Sequence, residues 1–422
     1  MNTVFAVFAS SKYWKNTVEL TDAVEQMKRL FPEQYNRFAL ITEEADLLQF
    51  EAGGDCLVII PMSGAVQGNI LKAAQLYKTI VLYPAYIHGN ATNPLESKML
   101  EYNAAPACMD CWAVLKRTHA HSLFALNARQ LEKTLRVYRA YLSMQGAAIL
   151  LIGDTEPWVV SNSADHKCYE RLGVKVKRIE QAEVANAYRC MPDEAASPFY
   201  HYFMGSECKT LEPTNEEIKA SCRMAAALMQ VADCHKADAI ALACFNLLAE
   251  GTNCCLGVSY INDCTQYAAA CEGDVDSAIT MLAMKHIART KLWMANPGLH
   301  PDGTINFSHC TAPLNINGDG KCRYMLRNHH ESGIGTSVQA EYPIGSTVTA
   351  CRISDDAKKM TVQKGVTIAG PYENACRTQV YVQFDNFTRY IETVLGCHQV
   401  FAFEDITDEM RMLGAQLGLD IL

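Results

Sequence analysis

The stretch Cys271-Glu272-Gly273-Asp274-Val275-Asp276 runs straight into Ser277-Ala278-Ile279-Thr280-Met281-Leu282-Ala283-Met284. Behind its acids, Ile279, Leu282, Ala283 and Ile287 keep a spacing near 3.6, which predicts a helix. The carboxylates therefore stand at or just before a helix N-terminus, where exposed N–H groups favour negative charge. Capping alone would account for such residues, since Asp and Glu are common in first turns. Asp276 reads as a first-turn acid of this kind. What Glu272 and Asp274 do depends on the chain around them.

Upstream, short apolar runs alternate with helical patterns. Strands are expected at 4–9, 38–41, 56–60 and 79–82, with helices at 18–30, 68–76, 94–102 and 123–142. A second series follows: strands at 147–152, 174–179 and 237–244, with helical patterns at 165–172, 181–188, 190–202 and 215–233. Such βα alternation predicts parallel sheets with helices on both faces. Ligands then sit beyond the C-terminal ends of the strands. The loops Pro61-Met62-Ser63-Gly64, His88-Gly89-Asn90 and Gly153-Asp154-Thr155-Glu156-Pro157-Trp158 lie there, making Ser63 and Trp158 substrate-binding candidates. None is G-x-G-x-x-G, so no NAD-type cofactor is expected.

Downstream of about residue 292, Pro297-Gly298, Pro301-Asp302-Gly303 and Asn317-Gly318-Asp319-Gly320 punctuate alternating runs. Strands are expected at 323–327, 337–341, 347–353, 359–362, 366–368 and 378–384, then helices at 387–395 and 406–417. The expected architecture is α/β: two Rossmann-like, doubly wound parallel-sheet domains (1–145 and 146–292) and a β-rich, barrel-like C-terminal domain with closing helices (293–422).

With 49% hydrophobic and 20% charged residues the chain reads as globular rather than disordered. A net charge of −9 without a basic stripe argues against nucleic acid or an anionic membrane as partner. No apolar run approaches the ~18 residues of a spanning helix. The first residues lack a basic n-region, so a cytoplasmic location with free thiols is expected. Cys108-Met109-Asp110-Cys111 has no second pair at zinc-ligand spacing.

Ionisable residues interrupt the apolar pattern at Glu272/Asp274, at Ser308-His309-Cys310-Thr311-Ala312-Pro313, at Asn328-His329-His330-Glu331-Ser332 and at Gly396-Cys397-His398-Gln399. His329 and His330 diverge if extended, so at most one faces a given site. Carboxylates with imidazoles form a set suited to Mn²⁺, Mg²⁺, Co²⁺ or Zn²⁺.

Together, "ACEGDVDSAITML" (270–282), "HCTAP" (309–313), "NHHESGIG" (328–335), "CRTQVYVQF" (376–384) and "GCHQVFAFED" (396–405) resemble the L-fucose isomerase/L-arabinose isomerase superfamily, nearest its members of unassigned substrate. The resemblance covers most of the chain. It implies a metal-dependent aldose–ketose isomerase acting on a sugar through an enediol, with manganese first among the metals. Asp274 and His398 match two of the family's metal ligands. The third, a carboxylate, would fall near Leu247, where this chain has no acid; Glu250 or Glu272 is the expected substitute, as ligand or proton carrier. His309, His330, Ser63 and Trp158 are then substrate-binding candidates. The resemblance also implies a homo-oligomer in which a neighbour's N-terminal domain covers the site. A lyase or epimerase on the same scaffold, or a silent sugar-binding relative, is the alternative.

Overall fold

A computed structural model describes residues 3–422 except 30, 32–36, 51–52, 86–92, 120 and 206–207. Contacts gather the chain into two compact units, Met1–Arg139 and Ala140–Leu422. In the first, β1 (Thr3–Phe8), β2 (Phe38–Ile41), β3 (Gly54–Pro61), β4 (Tyr77–Leu82) and β5 (Ser122–Phe124) form a parallel sheet in the order β2-β1-β3-β4-β5. Every residue of β1 and the run from Cys56 to the end of β3 are buried, as a sheet covered on both faces requires. The helix expected from 123 starts only at Ala128. Leu123 fits either period, but Leu82 pairs with Phe124, and Asn127 caps the helix by accepting from Gln130 N at 2.9 Å.

The second unit begins with β6 (Ala148–Ile152), β7 (Lys175–Ile179), β8 (Cys208–Thr210), β9 (Ala239–Leu242) and β10 (Ala268–Cys271). All but β8 form a parallel sheet in the order β10-β9-β6-β7. The chain leaves β6 for β7 on one side and returns to β9 on the other, so the order reverses between β6 and β9. In parallel sheets such a reversal is where ligands are usually held, beyond the C-terminal ends of the strands. No strand was expected at Ala268-Ala269-Ala270-Cys271, because alanine favours helix. Pairing with β9 and complete burial override that preference.

The remaining strands are β11 (Leu292–Leu299), β12 (Ile305–His309), β13 (Tyr324–Arg327), β14 (Ser337–Ala340), β15 (Thr347–Ser354), β16 (Lys359–Ile368), β17 (Thr378–Phe384), β18 (Gln399–Ala402) and β19 (Asp420–Ile421). Six of them close an antiparallel barrel in the order β15-β18-β11-β12-β17-β16, with β16 pairing back onto β15. The strands expected at 323–327 and 337–341 form β13 and β14 of a separate small sheet with β8. Prolines masked β11. The strand pairs with β18 up to Ala295 and with β12 from Asn296, so Pro297 sits where the chain changes neighbours and its missing N–H is tolerated.

Between the second sheet and the barrel runs the helix Val275–Lys285, buried from Val275 to Met284 and packed on β9 and β10 on one hand and β15 and β18 on the other. Its apolar residues on all sides suit this enclosed position. Its N-terminus lies where sheet and barrel meet. No helix among the described residues is long and apolar enough to cross a membrane.

Candidate metal centre

β10 ends in a tight turn in which Glu272 (φ 61) and Gly273 (φ 60) both adopt left-handed backbone. For glutamate this is uncommon and strained, a feature found at functional sites. At Gly273 no side chain fits: a Cβ would lie 2.8 Å from Thr155 Cα. Three bonds stitch the turn to the loops after β6 and β9: Glu156 N donates to Glu272 O (3.0 Å), Thr155 Oγ1 to Gly273 O (2.8 Å) and Gly273 N to Leu242 O (2.9 Å). Asp274 then caps the helix, accepting from Ser277 N at 2.9 Å.

The barrel brings two histidines to this turn. His309 ends β12, and His398 immediately precedes β18. Glu272 Oε1 lies 3.9 Å from His309 Nε2 and 3.5 Å from His398 Nε2. One ligand atom from each of the three residues falls within 4.8 Å of the others, a group that can hold a metal ion. Both rings are held from behind. His398 Nδ1 is 2.8 Å from Asp274 Oδ2, and His309 Nδ1 is 2.8 Å from Thr311 Oγ1. With Nδ1–H donating to Asp274, the His398 Nε2 lone pair faces Glu272, the carboxylate–histidine arrangement typical of metal sites, while His309 Nδ1 also accepts from Thr311 N at 3.3 Å. His398 Nε2 is buried without a hydrogen-bond partner, since 3.5 Å is an ion-pair separation. Such an orphaned nitrogen fits a cation.

The electrostatics point the same way. Burial disfavours charge on Glu272, but His398, His309 and the Trp158 N–H outweigh it and hold its carboxyl at about 2. Burial likewise opposes ionisation of Asp274, yet Arg352 and His398 keep its carboxyl far below the usual carboxylate range. His398 is pushed well above an ordinary imidazole: burial acts against its charge, and Asp274 and Glu272 overcome it. Burial and the charge of His398 push His309 down to about 4. The cluster thus calls for positive charge at His398 Nε2, which a proton or a metal ion can supply.

Behind the histidines lies a buried ionic network. The Arg352 guanidinium, fully enclosed, donates from Nη1 to Asp274 Oδ2 (2.8 Å), Ser277 Oγ (3.0 Å) and His398 O (3.1 Å), and from Nη2 to Asp274 Oδ1 (3.3 Å). Gly396 leaves it room, since a Cβ there would lie 2.4 Å from Arg352 Nε. Asp276, 3.6 Å from Nη2, accepts from Ser163 Oγ (2.9 Å), Tyr169 OH (2.5 Å) and Ser354 Oγ (2.5 Å). It is a first-turn acid, but one embedded in the core.

In front, Trp158 Nε1 donates to Glu272 Oε2 at 2.7 Å while half of the side chain stays exposed. Its ring meets Phe245 edge-on at 4.8 Å, and Phe245 meets His329 at 5.8 Å. Glu156 is buried and accepts from Phe245 N through Oε1 (3.1 Å). Burial and the charge of Glu272 raise its pKa against the pull of the Phe245 N–H. The same two causes raise that of Glu331.

Of the residues expected from sequence, Glu272, His309, His398 and Trp158 come together. Asp274, expected as a ligand, spends its oxygens on Arg352, Ser277 and His398 and stands behind the histidine. Glu250 is outside the group, clamped by Arg189 at 2.5 and 2.9 Å. Leu247 is buried. His329 rather than His330 meets Phe245; His330 lies within the field of Arg377 and Arg327. Ser63 belongs to the first unit, where its Oγ accepts from Ser10 N (2.9 Å) and donates to Gly64 O (3.0 Å). His88 lies outside the described residues. Arg352 and Glu156 were missed, although an arginine inside the apolar run 347–353 was a visible signal. The chain matches no protein-family model, and no curated protein is significantly similar to it.

Proposed function

We propose that this protein is a divalent-metal-dependent aldose–ketose isomerase acting on a sugar or modified sugar through an enediol. The observation that carries the reading is the convergence of Glu272 with two back-supported histidines, one presenting an orphaned Nε2. The resemblance puts Mn²⁺ first among the metals, with Co²⁺, Zn²⁺ or Mg²⁺ as alternatives for one carboxylate and two imidazoles. When bound, the cation supplies Lewis acidity toward the carbonyl and hydroxyl oxygens of the sugar. Glu272 remains ionised beside it, and Asp274 fixes the His398 tautomer. The exposed face of Trp158 offers an apolar platform for the sugar's C–H groups, braced by Phe245. The motif resemblance supports this chemistry, and the two strand orders support a Rossmann-like, doubly wound reading of both parallel sheets. A homo-oligomeric assembly belongs to the same proposal.

The test is calorimetric titration of the metal-free protein with Mn²⁺, followed by incubation with aldopentoses, aldohexoses and 6-deoxyaldohexoses read by NMR. Stoichiometric binding and formation of the matching ketose are expected. Metal binding with elimination or epimerised products would favour a lyase or epimerase. Absence of both binding and turnover would overturn the proposal.

A further inference from the structure

The acid that the resemblance places after β9 is missing, and the carboxyls around the site differ in what their oxygens are free to do. Glu272 turns Oε1 to the histidines and gives Oε2 to Trp158. Both oxygens of Asp274 are engaged by Arg352, Ser277 and His398. Both oxygens of Glu250 are held by Arg189. Glu331 is exposed on the rim. Glu156 remains. It is 6% exposed, and its Oε1 is anchored by Phe245 N. Its Oε2 has no hydrogen-bond partner among the described residues.

Its place in the fold carries the argument further. Glu156 belongs to the loop after β6, and Phe245 opens the turn Phe245–Glu250 that follows β9. That turn contains Leu247, buried where the family's acid would stand. Glu156 therefore reaches from the loop after β6 to the turn after β9, in which position 247 carries leucine instead of an acid. Its backbone is tied to the metal-binding turn as well, through Glu156 N to Glu272 O at 3.0 Å. Side chain and main chain together hold it between the turns that follow β9 and β10.

We propose that Glu156 is the proton-transferring carboxyl of the site, exchanging the hydrogen on the substrate carbon next to the carbonyl. The assignment deepens the isomerase reading and rests on it. As carboxylate, Glu156 removes the C2 proton of the aldose. The C–H electron pair forms the C1=C2 bond, and O1 takes up a proton from water to give the enediol. Glu156 returns its proton to C1 as O2–H gives its proton to water and C2=O forms. Aldose and ketose have the same atoms and overall oxidation level, and no external oxidant or reductant is needed.

The experiment compares wild type, Glu156→Gln and Glu156→Asp in D₂O with Mn²⁺ and the aldose panel, recording turnover, deuterium at C1 of the ketose, Mn²⁺ affinity and thermal melting. Gln keeps an oxygen to accept from Phe245 N. The expected result is a loss of turnover and deuterium entry of roughly 10²–10⁴-fold in Glu156→Gln. Mn²⁺ affinity and melting should stay at wild-type values, with partial activity in Glu156→Asp. Isotope exchange by Glu156→Gln at the wild-type rate overturns the assignment while leaving the isomerase reading intact, as does a parallel loss of Mn²⁺ affinity, which would mark a structural role. A wild-type protein that binds Mn²⁺ but converts no aldose overturns the isomerase reading and the assignment with it.

Discussion

Replacing Arg352 with methionine removes the guanidinium and keeps most of its aliphatic volume, so the cost is electrostatic rather than a cavity. Asp274 loses its two-pronged partner at 2.8 and 3.3 Å, and the His398 carbonyl loses a donor at 3.1 Å. Asp276 loses the positive charge 3.6 Å away. All these groups are buried, so water cannot replace the lost donors. Removing one partner of a buried ion pair costs about 3–5 kcal/mol. Hydrogen exchange measured by mass spectrometry on the metal-free protein reads this where it acts, in peptides covering β15 and β18. At about 1.4 kcal/mol per tenfold, exchange should quicken roughly 10²–10³·⁵-fold. Arg352→Lys, which keeps the charge but loses the fork, should fall between wild type and methionine. A change below about 1 kcal/mol in Arg352→Met, the scale of exposed ion pairs, would refute the view that this guanidinium holds Asp274 ionised in the core.

Gly273→Ala should cost at least about 1–2 kcal/mol for left-handed backbone. It should also weaken Mn²⁺ binding by displacing Glu272, because its Cβ meets Thr155 Cα; wild-type calorimetry of this variant would contradict the turn geometry. Glu250→Gln should leave Mn²⁺ affinity unchanged and cost about 1 kcal/mol of stability, since it weakens a two-pronged pair in which Arg189 is exposed and Glu250 mostly buried. Tenfold weaker Mn²⁺ binding would return Glu250 to the site. Lys285 is lowered to about 8 by burial and by the charge of Lys291. The unfolded chain, with its lysine near 10.4, therefore holds more protons between these values, and the Lys285 contribution to stability rises with pH there. Urea unfolding at about pH 7.5 and 9.5 should show wild type gaining on Lys285→Met by at most about 1.4 kcal/mol per pH unit. A gap that shrinks on going alkaline would reverse the sign of this reasoning.

Much of the architecture is local and therefore readable along the chain. Continuous apolar runs mark β1 and β3 as buried parallel strands. The change to alternating runs beyond residue 292 marks the β-rich region, and the acids before Val275 mark a helix start. Residue types limit the site as well: Glu272, His309 and His398 stand out because polar groups interrupt apolar patterns. Local pattern fails where long-range pairing wins, as in the alanines of β10 and in Pro297 at the change of partner in β11.

Glu272 and Asp274 stand on either side of one glycine, and the motif resemblance picks Asp274 as the ligand. Tertiary structure separates them. Left-handed backbone at Glu272 sets it on the open side of the turn, and Arg352 claims Asp274 from within the barrel. His398 meets Asp274 across 124 positions of chain, and Glu156 meets Phe245 across 89. Amino-acid pattern determines which residues are polar, which are buried and where elements begin. Which atoms converge, and whether a carboxylate joins the candidate metal group or steadies one of its histidines, depends on how sheet and barrel close around one buried helix.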